Sequence, residues 1–321
     1  MIDLHTHVVP PDTPFLDRFD DPRWARLDPG TGAVTVAGRQ FRRVRRVAWD
    51  LDARRAEATA AGITGQLLSA MPELFAPWAP ARAALDYARA FNAWLAEEVA
   101  DHDGFFTGLG VVPVGDADAA TALLADVQAQ GLLGVEVPSL PPPGPWHDPV
   151  WDGFLGELAA RGLLLFLHAV GTPTPYPHPL AANGVVFPAS IGQAVAGLIA
   201  SGTCARHPEL RILASHGGGS VLSSLPRLEF LRAATPALQE LMPEPPAVYA
   251  RRMWFDALVF DAVPLRALVE LVGADRIVMG TDHPFMPGHP LAYLDSVDPA
   301  LVTAIRDTNP RHLLALLSGV G

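Results

Sequence analysis

His5-Thr6-His7 closes the apolar run that opens the chain at Ile2. Residues i and i+2 of a strand face the same way, so both imidazoles point to one side. Two histidines held like this suit a divalent metal such as zinc, although a lone H-x-H pair is as readily a surface pair. Three further residues share the position. His168 closes Leu163–Leu167, His216 closes Ile212–Ser215 and runs into Gly217-Gly218-Gly219, and Asp282 closes Ile277–Thr281. Histidines scattered through a core would not fall so regularly at the ends of strand-length apolar runs. The other seven carry no such signal. His102 and His207 sit near helix ends, where a cation is ordinary. His147, His178, His289 and His312 fall in loops or helix starts, and His283 follows Asp282 and should point away from it.

Composition removes several other chemistries. Lys and Arg together number 23, and all 23 are arginine. With no lysine there is no Schiff base, no phosphate-loop lysine and no carbamylated lysine to bridge two metals. A net charge of −11 argues against general binding of a nucleic-acid backbone. The single cysteine, Cys204, excludes an intrachain disulfide and a cysteine-rich metal site. The start lacks the basic and apolar regions of a signal peptide, and no run of about 18 apolar residues is apparent, so a cytoplasmic chain without a membrane span is expected.

The residues need elements to carry them. Eight strands are predicted at Ile2–His7, Ile63–Ala70, Phe105–Pro113, Gly134–Pro138, Leu163–Val170, Arg211–His216, Met253–Val259 and Arg276–Thr281. Helical patterns alternate with them at Asp52–Ala61, Pro80–Asp101, Ala117–Gln130, Pro149–Arg161, Ala189–Arg206, Ser220–Ala233, Val263–Val272 and Pro299–Ser318. Nearly continuous apolar strands fit parallel strands buried on both faces. Eight β-then-α units over residues 1–321 predict one α/β domain, a (β/α)8 TIM barrel, whose C-terminal strand ends converge on one mouth. Residues 8–51 break the rhythm. They form a long Pro-, Asp- and Arg-rich insertion at the active-site end, with a small hairpin predicted around Ala33–Ala37 and Arg39–Val44. A second irregular stretch, Gly171–Val186, follows strand five.

The set H-x-H, His168 after strand five, Ser215-His216-Gly217-Gly218-Gly219 and Gly280-Thr281-Asp282-His283-Pro284-Phe285 resembles the amidohydrolase superfamily. It is most similar to the branch containing aminocarboxymuconate-semialdehyde decarboxylase and related aromatic acid decarboxylases. Phe41-Arg42, Trp49-Asp50 and Trp254–Val259 extend the likeness over nearly the whole chain. The resemblance implies one divalent ion, zinc first and manganese second, held by His5, His7, His168 and Asp282. It implies His216 as the acid/base beside them, and the pKa of imidazole, near about 6.5, suits that task. It also implies that Arg42 grips a substrate carboxylate and that Phe285 lines the pocket. Arg227 would reach the neighbouring subunit's site in a homodimer. Guanidinium matches carboxylate in a two-pronged pair, so a small anionic organic substrate is expected. Glu136 on strand four either bridges a second metal, serves as an acid behind the ligands, or is a buried partner for an arginine. The chain departs from its relatives at His168-Ala169-Val170-Gly171, at Asn183-Gly184 and at His283, which implies a different pocket wall.

The function this supports is metal-dependent, non-oxidative decarboxylation of a small unsaturated or aromatic carboxylic acid, with His216 and Asp282 catalytic. The alternative on the same residues is a hydrolase or hydratase of an amide, lactone or enol. A barrel kept only for binding would be expected to have lost a ligand, and none is lost.

Overall fold

Eight short strands run parallel in the computed structural model, which describes residues 1–321 except 12–13, 171–175, 177, 287 and 320–321. They are β1 (Ile2–Val8), β2 (Gly65–Ala70), β3 (Phe106–Gly108), β4 (Gly134–Pro138), β5 (Leu164–His168), β6 (Arg211–Ala214), β7 (Trp254–Asp256) and β8 (Ile277–Val278). β1 to β3 form one parallel sheet and β4 to β8 another, and two sets of backbone bonds between them close the ring. Gly110 N donates to Gly134 O at 2.9 Å and Leu133 N to Gly108 O at 2.9 Å, joining β3 to β4. Leu4 N donates to Met279 O at 2.9 Å and Asp282 N to His5 O at 2.8 Å, joining β8 to β1. The chain is a TIM barrel, like the relatives described below.

Alternation along the strands sorts the side chains. Leu68, Val135, Leu165, Ile212 and Phe255 point outward into the layer shared with the helices. Leu67, Leu164, Phe166, Leu213, Trp254 and Val278 fill the lumen, and Leu313 of the last helix joins them. One more step along each inward row reaches Ser69, Glu136, His168, Asp256 and Gly280, so alternation itself carries the polar residues to the mouth. β1 needs a correction to this rule. Leu4 belongs to the lumen cluster, yet His5 packs its ring on Phe166 inside the same lumen. The pairing shifts between Asp3↔Gln66 and Thr6↔Leu68, where three steps of β1 match two of β2. This bulge resets the parity, so that His5 and His7 follow Leu4 into the lumen.

Helix Leu51–Ala60 starts at Asp50, whose side chain accepts from Ala53 N, and Asp116 and Asp261 cap Ala117–Ala129 and Ala262–Val272 in the same way. Gly162, at φ +66°, ends Asp152–Arg161 in the left-handed conformation that glycine adopts freely. The last helix spans Pro299–Leu317 and opens into one π turn at Ala304–Thr308, where Ile305 O accepts from Met279 N at 2.8 Å.

Three expectations change. The insertion is a three-stranded antiparallel sheet, because Arg26–Asp28 pairs with Ala33–Val36, which pairs with Arg39–Arg43. Arg26–Asp28 holds one apolar residue, too few to show a strand pattern. The helix predicted from Ala189 begins at Pro179. Proline is a good first-turn residue, so Pro179 suits the start of the helix, which continues through Pro188. Residues 171–175 and 177 of the expected irregular stretch lie outside the described residues. The third change concerns the membrane. Asn183–Ala200 is long and apolar enough to cross one by length and composition. Its Ile191, Val195, Leu198 and Ile199 are fully buried in the helix–barrel layer, where a barrel helix packs.

Candidate active site

His5, His7, His168 and Asp282 each offer one ligand atom, and these atoms all lie within 4.8 Å of one another. Asp282 Oδ1 is 3.1 Å from His7 Nε2 and 3.7 Å from His5 Nε2. The imidazoles meet edge to face, with centroids 4.6 to 5.1 Å apart. His5 Nε2, His7 Nε2, both nitrogens of His168 and Asp282 Oδ1 are buried without a hydrogen-bond partner. Buried polar atoms are normally satisfied, and three imidazoles with one carboxylate converging unsatisfied is the donor set of a divalent metal. Protonation agrees with this at three of the four; at His5 burial is outweighed by the hydrogen bond and charge of Asp256, which raise its pKa, so a metal would have to displace a proton there. Burial drives the pKa of His7 down to about 4 and that of His168 well below the ordinary value. Burial alone would raise Asp282, but the approach of His7 Nε2 to 3.1 Å and the charge of His5 outweigh it, so its pKa is held below the usual carboxylate range. Metal binding needs these forms.

Asp256 is the organising residue that the sequence reading left without a role. It ends β7 facing the lumen, fully buried. His5 Nδ1 lies 2.6 Å from its Oδ2, and the same carboxylate accepts from His216 N at 2.9 Å, Gly217 N at 2.8 Å and Leu258 N at 3.0 Å. Burial raises its pKa, but the hydrogen bond and charge of His5 win and hold it low. The signal was available, since Asp256 ends a strand just as Asp282 does. Gly280 stands between strands here, and a Cβ on it would come within 2.7 Å of the Cβ atoms of both Asp256 and His5.

Two site residues occupy the left-handed region, His216 at φ +51° and Asp282 at φ +57°. Non-glycine residues pay roughly 1–3 kcal/mol for such backbone, and they keep it where surrounding bonds enforce it. The Asp256 carboxylate enforces it at His216, together with the left-handed Gly217, Gly218 and Gly219. Ser220 N donates to Pro188 O at 2.9 Å, fixing the far end of the turn. The His216 ring therefore sits 5.4 Å from His5 and 5.6 Å from His168, outside the four-residue group, with Nε2 buried and unpartnered. Burial, then the charge of His5, lowers its pKa.

Glu136 faces the lumen behind His7, its Oε1 3.5 Å from His7 Nδ1. It lies beside that histidine, with no arginine bonded to it among the described residues, and stands outside the four-residue group. Burial holds its carboxyl well above the usual range, and the charges of Asp282 and Glu73 add to the shift. Arg54, fully buried on helix Leu51–Ala60, was invisible in the sequence. It donates to His7 O at 2.7 Å and to Gln66 Oε1 at 2.8 Å, gripping β1 from behind.

Arg42 and Phe285 come together over this side of the mouth. Phe285 stacks on His7 with centroids 5.4 Å apart, and the Arg42 guanidinium lies 4.5 Å above Phe285. Arg42 Nη2 donates to Glu73 Oε1 at 2.7 Å. Arg227 is apart from them. It is exposed on helix Val221–Ala234, near Phe230, which is 76% exposed. His283 turns away from the mouth as expected, its Nε2 3.1 Å from Glu57 Oε1 and 3.3 Å from Arg45 Nη2.

Burial, with Arg54 and Arg45 nearby, pushes the His283 pKa down to about 3. Its folded state is neutral where the unfolded chain binds a proton, so stability falls as pH drops below about 6.5 toward 3. The slope is at most roughly 1.4 kcal/mol per pH unit. His283→Gln removes this contribution. Urea unfolding of the metal-free variant between pH 6 and pH 4 should therefore show a shallower loss of stability than the parent, by roughly 1 kcal/mol per pH unit.

The geometry can be set beside known proteins. Residues 2–316 match the amidohydrolase family. The chain is 31% identical to the 2-amino-3-carboxymuconate-6-semialdehyde decarboxylase of Dictyostelium discoideum over 296 residues, 89% of this chain and 82% of that protein. The apo crystal structure of Metarhizium anisopliae IDCase superposes with a TM-score of 0.84 at 21% identity, covering 98% of this chain and 97% of that one. A 2,6-dihydroxybenzoate decarboxylase solved with 2,6-dihydroxybenzoate gives a TM-score of 0.72 at 26% identity, over 84% of this chain and 89% of that one. With its barrel, its converging histidines and aspartate and a match that spans the chain, this protein belongs to the amidohydrolase family, in the branch that holds these decarboxylases.

Proposed function

We propose that this chain is a non-oxidative decarboxylase of a small aromatic or unsaturated carboxylic acid. The observation that carries the reading is the unsatisfied group His5, His7, His168 and Asp282 in a chain whose 31%-identical relative is named a decarboxylase. These four residues would hold one divalent ion, zinc first and manganese second; donor type alone separates the two poorly. A cation there supplies Lewis-acid polarisation and a sink for negative charge. The remaining roles fall to the chain itself. Arg42 holds a substrate anion and Phe285 walls the pocket on the His7 side. When the carbon–carbon bond breaks, its electron pair stays on the substrate carbon, CO2 leaves, and a proton must replace it. His216, once protonated, is placed to deliver that proton, because its Nε2 has no other partner; Asp282, held ionised, would first have to take up a proton before it could serve as donor.

Residues 8–51 serve as a wall of this site, since Arg42 comes from their last strand. Arg227 and the exposed Phe230 support a homodimer joined through helix Val221–Ala234, with Arg227 given to the partner's site. The cytoplasm is the proposed location. The test is to load purified protein with zinc or manganese and offer a panel of hydroxybenzoic and unsaturated acids. Release of CO2 with the protonated product is expected. Water addition, or amide or lactone cleavage, without CO2 would move the reading to the hydrolase or hydratase alternative.

A further inference from the structure

Arg42 is the cation set over this mouth, and it already has an anion. Its Nη2 donates to Glu73 Oε1 at 2.7 Å, the length of a charge-assisted bond. Glu73 stands on the short turn Pro72–Phe75 after β2, with its side chain 15% exposed and its Oε2 buried without a hydrogen-bond partner. Its neighbours on the lumen side are Asp282 and Glu136, close enough that their charges act on one another's titration. The negative charge on this side is carried by Asp282, held ionised, and by Glu73, bonded to the Arg42 guanidinium, while burial favours the neutral form of Glu136. A ligand that brings one carboxylate to the metal group and a second anion to Arg42 must compete with Glu73 and add a further negative charge among like charges, which costs binding. A neutral hydroxyl at the same place can share the guanidinium and meets no such repulsion.

We propose that Glu73 is a specificity-determining residue. By occupying one edge of Arg42 it selects monocarboxylic acids carrying a neutral polar group and rejects dicarboxylic ones. This deepens the decarboxylase reading and rests on it, since it takes Arg42 to face the substrate.

The matched probes are 3-hydroxybenzoate and benzene-1,3-dicarboxylate, which differ only in whether a hydroxyl or a carboxylate sits meta to the first carboxylate. Calorimetry on the zinc-loaded protein gives Kd for each, with no need of turnover. The parent should bind 3-hydroxybenzoate more tightly. Glu73→Gln keeps an acceptor for Arg42 and removes the charge, so the Kd ratio should move about tenfold toward the dicarboxylate, the scale of one charge at short range in a partly buried site. Arg42→Gln, on the edge strand Arg39–Arg43, should move the ratio the other way by a similar factor, because Glu73 is then unopposed. If Glu73→Gln does not fold, Glu73→Ala, which also removes the charge, is read in its place and should move the ratio in the same direction. A ratio that stays put in the variants that fold, or a parent that prefers the dicarboxylate, overturns the role of Glu73 while leaving the decarboxylase reading standing. If neither acid binds the zinc-loaded parent, the acid-binding reading of the site falls, and this inference falls with it.

Discussion

His216→Asn is expected to lower turnover by about 10²- to 10⁴-fold, the usual worth of a positioned general acid or base, while metal content stays at the parental level. The substitution is chosen for its backbone. His216 sits at φ +51°, and asparagine tolerates this region better than alanine, so the turn through Gly217–Gly219 should persist. Its backbone N–H still donates to Asp256, so the change is confined to the ring. The ring lies outside the four-residue group, which is why metal content should not follow activity. Burial and the charge of His5 lower the pKa of the imidazole, so its protonated, donating form is lost as pH rises; the resulting fall in the parent's rate with rising pH should be missing from the residual activity of the variant. Metal analysis beside steady-state kinetics checks both halves. Loss of metal in the variant would make His216 a ligand, and full activity would remove its proton-transfer role.

The same turn shows how far the sequence could be read. His5, His7, His168, His216 and Asp282 all end apolar runs, and a barrel brings strand ends together whatever the loops do, so their convergence was legible. The bulge in β1 was not. Nothing in Asp3-Leu4-His5-Thr6 distinguishes a regular strand from one with an extra residue, yet the bulge decides that Leu4 and His5 share the lumen. Residues acting through one neighbour were hidden as well. Arg54 is one of 23 arginines and reads as a helix surface residue until its guanidinium is found under His7 O. Glu73 follows a proline in a loop, and only its 2.7 Å bond to Arg42 gives it a meaning. Strand order predicts which ends meet; it does not predict which side chains reach between them.

Asp256→Asn should have the broadest consequences of any single exchange at the site. The carboxylate makes four contacts at once: His5 Nδ1 at 2.6 Å, and the backbone N–H groups of His216, Gly217 and Leu258. An amide offers one acceptor oxygen, and its NH2 would face N–H donors, so at least one buried donor is left unpaired. His5 loses the anion that fixes which nitrogen carries the proton and which faces the metal group. Groups holding a ligating histidine in this way are worth about 10- to 100-fold in metal affinity. The His216 turn loses the bonds that sustain four consecutive residues at positive φ. Breaking a buried, hydrogen-bonded ion pair costs about 3–5 kcal/mol. The variant should therefore unfold at markedly lower urea concentration and bind zinc 10- to 100-fold more weakly in a chelator competition. Zinc in excess should restore occupancy without restoring full turnover, because His216 will still be displaced. Parental activity at full occupancy would show that Asp256 serves His5 alone, and parental zinc affinity would show that it does not serve His5 at all.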